Sequence, residues 1–112
     1  MQQKLEKLLG ITFDFSIEII GLCKELTINN NMFLLTPLFQ STTKMGISIN
    51  EALEFQANRT FMAKLANASN EAREALYWLR RIERDKAVPS NTHTCIDHCE
   101  QIIQQITSAI NA

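Results

Sequence analysis

The chain has 112 residues, of which 46% are apolar and 21% are charged, and its formal net charge is −1. This composition is close to that of an average globular protein, and the length suits a single domain over residues 1–112. The near-neutral charge argues against a protein that coats nucleic acid or an anionic membrane with its whole surface, but it is compatible with a local basic patch.

The sequence shows neither a transmembrane segment nor a secretion signal. Charged residues interrupt every apolar stretch well before about 18 residues, the length that a membrane span needs. The first residues lack the apolar core and the small-residue cleavage site of a signal peptide. Three cysteines, an odd number without an export signal, are typical of reduced thiols. We therefore expect a cytoplasmic protein with no membrane partner.

The first predicted helix spans about Gln3 to Thr27 and is apolar on more than one side. The residues of its main apolar stripe are Leu5, Leu8, Leu9, Thr12, Phe13, Ser16, Ile19, Ile20, Cys23 and Leu26. Phe15, Ile17 and Leu22 fall off that stripe. A helix that is apolar on two sides is buried on two sides, and in a domain this small the second burial indicates another subunit. Phe15 is accordingly predicted to contact a neighbouring subunit.

The second predicted helix follows a break at Asn29–Asn31, because asparagine favours turns. Thr36 is a plausible N-cap, with Pro37 at the first helical position. Gly46 lies in the middle of this helix, where glycine costs roughly 1 kcal/mol relative to alanine. Either a neighbouring helix crosses closely at Gly46, or the glycine is a tolerated kink. A short turn or bend is predicted at 56–59.

The third predicted helix, about Asn58 to Lys86, carries the clearest packing pattern. Its apolar residues are spaced alternately four and three apart, at Phe61, Leu65, Ala68, Ala72, Ala75, Leu79 and Ile82. This a/d spacing is typical of a helix in a bundle, and the alanines let another helix approach closely. A fourth helix is predicted over about Asn91 to Asn111. Short connections make neighbours antiparallel, so we predict an all-α, up-down-up-down four-helix bundle.

The segment Leu38–Arg80 carries two strings that resemble a known bacterial family. The first, LFQSTTKMGISINEA, lies in the second helix, and the second, EAREALYWLR, lies in the third. Residues that agree with the family pattern include Leu38, Ser41, Thr43, Gly46, Ile49, Glu51, Ala52, Glu71, Ala72, Arg73, Glu74, Tyr77, Trp78, Leu79 and Arg80. The chain thus resembles the four helix bundle protein family. That family is related to proteins encoded in intervening sequences of 23S rRNA genes and to accessory variability determinant proteins of diversity-generating retroelements. Asn67 and Ser69 replace the Ile and Leu that are usual there.

This resemblance implies a four-helix bundle that assembles as a homopentameric ring, in a family whose members mostly have no established activity. It implies a non-enzymatic, homo-oligomeric scaffold or adaptor. The accessory proteins of retroelements bind nucleic acid and a reverse transcriptase through basic surface. The alternative prediction is therefore a nucleic-acid-binding accessory protein that is partnered with a reverse transcriptase.

Basic residues are concentrated in the third helix. Residues 56–86 hold seven basic and four acidic side chains, a local balance of +3. The candidate phosphate-binding residues are Arg73, Arg80, Arg81, Arg84 and Lys86. The alternative interpretation is a solvated helix end, in which Glu83 and Asp85 are interleaved with the cations.

Carboxylates occur on facing helices at Glu51, Glu71 and Glu74. They could hold a metal pair, but di-metal bundles repeat a Glu-x-x-His element, which this sequence lacks. We therefore interpret them as members of structural ion pairs or as charges at the rim of the bundle, and the arginine fork of Arg73 is suited to a carboxylate across a helix interface.

A second cluster combines histidine and cysteine. His93, Cys95, His98 and Cys99 stand at helical spacing that could place two or three ligands around zinc or another soft metal. The alternative is that the cysteines are small core residues and the histidines are surface groups. Since a structural site needs four ligands from two segments, we predict no metal. The sequence also shows no nucleophile setting and no phosphate-binding glycine loop, so neither an enzyme nor a cofactor is predicted.

Tyr77 and Trp78 are adjacent and cannot share one face of a helix. At least one of the two rings must point outward or sideways. Because such aromatics are enriched at the centres of protein interfaces, Tyr77 and Trp78 are predicted subunit contacts, with lateral packing inside one bundle as the alternative.

Overall fold

The structure is a computed structural model that describes residues 2–28, 32–55, 59–84 and 91–111. The helices are α1 (Gln2–Ile28), α2 (Met32–Glu54), α3 (Thr60–Glu83) and α4 (Thr92–Ile110). The predicted all-α four-helix bundle is confirmed. Within these ranges, none of the helices combines the length and the apolar character that crossing a bilayer requires. The predicted break at 29–31, most of the predicted turn at 56–59 and the predicted extension of α3 to Lys86 lie outside the described residues.

The four helices form a bundle about 45 Å long in which each helix packs against two neighbours. The contacts run α1 to α2, α2 to α3, α3 to α4, and α4 back to α1. The closest packing is between α2 and α3. The α3 surface predicted from a/d spacing is the buried one, and Ser69 joins it. Asn67 is exposed, so of the two polar replacements only Ser69 makes the interior more polar.

The inner face of α1 differs from the predicted one. Phe15 is 1% exposed and packs in the main core cluster, and Leu22 is also fully buried. The prediction that Phe15 contacts another subunit is therefore wrong, since its ring is enclosed within one chain. Phe13 and Ile20, which were assigned to the core stripe, lie instead on the exposed side of α1. The helix is indeed apolar on two sides, and most of the predicted stripe is buried, but Phe15 and Leu22 join the core face in place of Phe13 and Ile20.

The start of α2 also differs from the prediction. The helix begins at Met32, so Thr36 is not its N-cap and Pro37 lies inside it. Because proline lacks an N–H, Pro37 removes the hydrogen bond that the carbonyl of Phe33 would otherwise accept. Leu34, in the turn before the proline, is buried against the core.

Gly46 leaves α2 helical, and it faces α1 across a narrow gap. A methyl group on Gly46 would lie 4.0 Å from Cγ2 of Thr12, which is an ordinary van der Waals contact. A neighbouring helix therefore does pass beside Gly46, as one of the two predictions states. The space between the helices is nevertheless wide enough for an alanine side chain.

Replacing Gly46 with alanine is expected to raise the free energy of unfolding by roughly 0.5–1 kcal/mol, because alanine has less freedom to lose in a helix. Urea denaturation followed by circular dichroism measures this change. Gly10→Ala is the matched control, since no described atom lies within 4 Å of a methyl group placed there. If Gly46→Ala lowers the stability while Gly10→Ala raises it, the methyl group on residue 46 must lie closer to Thr12 than 4.0 Å.

Candidate functional site

An open groove runs between the exposed sides of α1 and α2. We call it the α1/α2 groove, and its volume is about 550 Å³. Its lining includes Phe13, Ile20, Phe39, Thr43, Ile47 and Asn50. The described residues that line it carry no charge, and their polar groups are hydroxyls and one amide. The groove is therefore an apolar surface that is open to solvent.

The apolar character of this groove continues along both helices. Phe13 is 65% exposed and Ile17 is 55% exposed, and the two stand four residues apart on α1. On α2, Phe39 and Ile47 are also about half exposed. Large apolar side chains gathered in one exposed place are typical of interaction surfaces, whereas single ones are ordinary. Sequence reasoning detected a second apolar side of α1 but did not include Phe39 or Ile47 of α2.

A second groove, which we call the arginine groove, lies on α3. It is lined by Arg73, Leu76, Tyr77, Arg80, Arg81 and Arg84, and its volume is about 430 Å³. Four of the five predicted phosphate-binding residues therefore lie together around one hollow. The fifth, Lys86, lies outside the described residues.

The arginines of this groove differ in how they are engaged. Arg80 forms an exposed ion pair with Glu100 of α4, at 3.6 Å, and Nε of Arg73 donates to Oγ of Ser69 at 3.4 Å. The Glu83 carboxylate is directed to Nδ1 of His93, 3.1 Å away. Within the described residues, Arg81 and Arg84 have no carboxylate partner. No described carboxylate therefore neutralises either of these two cations.

The two adjacent aromatics have different surroundings. Tyr77 is 53% exposed and lies among the arginines, whereas Trp78 is only partly exposed and packs against the core. Their rings meet edge to face, with 5.0 Å between the ring centroids. Lateral packing within one bundle thus accounts for Trp78, and Tyr77 is the one directed outward. The predicted role of Tyr77 in a subunit contact stays a prediction.

The carboxylates of α3 join α3 to α2 through serines. Oγ of Ser48 donates to Oε2 of Glu71 at 3.0 Å, and Oγ of Ser41 donates to Oε2 of Glu74 at 3.2 Å. Glu51 forms an ion pair with Lys64 at 3.0 Å. We call these contacts the polar seam of α2 and α3. Glu51 thus forms an ion pair as predicted, whereas Glu71 and Glu74 accept hydrogen bonds from serines and Arg73 contacts Ser69.

Burial raises the pKa of the Glu71 carboxyl above its usual value. The hydrogen bond from Ser48 and the charge of Lys44 oppose this shift, and the negative charges of Glu74 and Glu51 add to it. The ionised form of Glu71 is therefore less favourable in the folded bundle than in the unfolded chain.

The histidines and cysteines of α4 point to different places. Cys95 and Cys99 are fully buried, and the Sγ–H of Cys99 donates to the carbonyl of Ala72 at 3.3 Å. His98 faces α1, with Nδ1 2.6 Å from Oε1 of Glu18, and His93 lies near Glu83 and Asp97 on the surface. Among the described residues, no group of three or more His, Cys, Asp or Glu side chains is placed to hold a metal ion. Cys95 and Cys99 are therefore core residues, as the alternative to a metal site predicts.

Comparison with known proteins gives one informative likeness. No family model and no curated protein matches the chain. Its structure is similar to the crystal structure of a protein from Bacteroides thetaiotaomicron VPI-5482, which is described as having unknown function and as coming from the S23 ribosomal protein family. The TM-score is 0.87 and the sequence identity is 25%, over 97% of this chain and 99% of that one. The fold therefore extends over the whole of that protein, whose own role is not assigned.

The raised pKa of Glu71 leads to a pH-dependent prediction. A carboxyl whose pKa is higher in the folded state gives its full stabilisation below the unfolded pKa and loses it as the pH rises through the folded pKa. Glu71→Gln, which stays neutral and can still accept from Ser48, is thus expected to be at least as stable as the natural protein at pH 7. The difference should shrink towards pH 4.5, the ordinary pKa of this carboxyl.

Urea denaturation at a series of pH values measures this difference. Glu54→Gln is the control, because it removes the same charge at an exposed position of α2. If Glu71→Gln were clearly less stable than Glu54→Gln at pH 7, the attraction of Lys44 would outweigh the cost of burial.

The cysteines give a prediction of reactivity. Burial raises the pKa of Cys95 and Cys99 to about 12 and raises that of Cys23 as well. Since the thiolate is the reactive form, all three thiols should react slowly with Ellman's reagent in the native protein and rapidly in urea. Rapid reaction of one thiol in the native protein would show that α1 or α4 opens locally.

Proposed function

We propose that this chain is a non-enzymatic scaffold that assembles with copies of itself into a ring, and that the subunit number is five, as the family resemblance implies. The observation that carries the proposal is the α1/α2 groove. The similar fold of the protein from the S23 ribosomal protein family is consistent with this resemblance. The proposal includes a cytoplasmic location, in keeping with the three free and buried thiols of the described residues.

A second copy of the chain suits the α1/α2 groove by its chemistry. The groove offers apolar side chains without charge, so burying it requires no ion pairing and removes Phe13, Ile20 and Ile47 from water. A closed ring forms when one surface of a protomer binds a different surface of the next. The groove would supply one of these two surfaces at each contact.

The mass of the protein in solution tests this proposal. Light scattering coupled to size-exclusion chromatography is expected to give about five times the 12.8 kDa of one chain. The double variant Ile20→Asp/Ile47→Asp should reduce the mass towards that of one chain, because charge in the groove opposes its burial. A natural protein that elutes as a monomer would contradict the proposal.

The control for this test is Ile28→Asp/Met62→Asp. Ile28 at the end of α1 and Met62 on α3 are exposed and do not line the groove, so this variant introduces the same two charges elsewhere. Circular dichroism of all the variants shows whether the helices are retained. Equal loss of mass in the control and in the groove variant would place the contact outside the groove.

The arginine groove favours a second candidate function, that of a nucleic-acid-binding accessory protein partnered with a reverse transcriptase. Arg81 and Arg84 have no carboxylate partner among the described residues, and two further arginines lie beside them. The whole chain has a net charge of −1, so binding would depend on this local patch and would weaken steeply with salt. Salt-insensitive binding, or none, would contradict this second candidate.

A further inference from the structure

We propose that the end of the bundle formed by the start of α2 and the end of α3 binds single-stranded nucleic acid. Phosphates would bind Arg81 and Arg84, and unpaired bases would stack on Phe33 and Tyr77. This inference deepens the second candidate function and rests on it, because it names the form of nucleic acid and the residues that distinguish that form.

The geometry that carries the inference is a pair of adjoining hollows. One is the arginine groove, which contains Tyr77. The other has a volume of about 350 Å³ and is lined by Phe33, Leu34, Arg81 and Arg84. The two hollows share Arg81 and Arg84, so an exposed aromatic ring lies on each side of this arginine pair.

Helix register and topology explain why these residues meet. Tyr77, Arg81 and Arg84 are four and three residues apart, so they share one face of α3. From Arg73 to Arg84 this face extends about 16 Å at 1.5 Å per residue. Because α2 runs antiparallel to α3, the start of α2 lies beside the end of α3, and this brings Phe33 to the same place.

The chemical state of these four side chains suits a strand with accessible bases. Phe33 is 71% exposed and Tyr77 is about half exposed, although each is a large ring. Every nucleobase has a flat face that stacks on such rings, and single-strand-binding proteins combine stacking aromatics with a positive groove. In a duplex the bases are already stacked on one another, so the two aromatics would add little to its binding. The combination therefore favours a single strand over a duplex.

Fluorescence anisotropy with labelled oligonucleotides of roughly 12 nucleotides tests the inference on the assembled protein. The probes are oligouridylate, oligothymidylate and a duplex of the same length. We expect both single strands to bind more tightly than the duplex, and a difference between the first two would separate RNA from DNA. Phe33→Leu and Tyr77→Leu should each weaken single-strand binding roughly fivefold or more, since stacking contributes about 1–3 kcal/mol per base.

Matched controls separate stacking from charge. Tyr77→Phe keeps the ring and should bind as the natural protein does. Arg81→Ala/Arg84→Ala should lower the slope of log K against log salt by about 0.7 for each phosphate that the variant no longer neutralises, whereas the aromatic variants leave that slope unchanged. Lys4→Ala/Lys7→Ala removes the same charge from exposed positions at the opposite end of the bundle and should leave binding largely unchanged.

Three results would overturn the inference. These are a duplex that binds as tightly as the single strands, leucine variants that bind like the natural protein, and a lysine variant that weakens binding as much as the arginine variant does. Each of them leaves the second candidate function intact if salt-sensitive binding persists. No binding of any probe would remove that function together with the inference. Light scattering of Tyr77→Leu detects a role of this ring in assembly, because such a role would change the mass.

Discussion

The close approach of α2 and α3 is the contact on which the rest of the molecule depends. Small buried residues on α3, such as Ala68 and Ala75, suit a close approach of helices, and α2 and α3 make the most extensive contact of any helix pair. At that distance the serines of α2 can reach the carboxylates of α3, as in the pair Ser48–Glu71. The seam fixes the register of α2 against α3. That register sets both the exposed face of α2 and the position of its first turn beside the end of α3.

The residues that carry the family resemblance are therefore largely structural. Ser41, Glu71 and Glu74 belong to the polar seam, and Glu51 forms an ion pair with Lys64. A buried or half-buried carboxylate that accepts from a serine specifies one alignment of two helices, because a shift by one turn would leave it without a partner. Packing alone is therefore a sufficient physical reason for the residues that carry the resemblance, and no catalytic role is needed to explain them.

Periodicity predicted the inner face of α3 correctly because that helix has a single apolar stripe with polar residues opposite. On α1 it placed Leu8 and Ile19 correctly but chose the wrong phenylalanine, since Phe13 and Phe15 are equally apolar and spacing alone cannot say which ring faces inward. The local signal of Pro37 misplaced the start of α2, because the helix begins more than one turn before the proline and Leu34 in that turn packs in the core. The arginines of the candidate site were foreseeable from composition. Phe33 was not, because its position depends on where α2 begins.

The sparsest of the four interhelical contacts is the one between α1 and α4, the helices most distant along the chain. Leu5 and Ala109 pack in one small cluster at one end, and Glu18 meets His98 farther along. Closing this edge orders the longest loop in the molecule, and the entropic cost grows with the logarithm of loop length. The helical hairpins α1–α2 and α3–α4 can form from segments that are close in the chain, whereas the contact between α1 and α4 can form only after both hairpins are present. We therefore expect the bundle to open first along this edge, and opening there would uncover Cys95, which faces α1, while the seam of α2 and α3 still held.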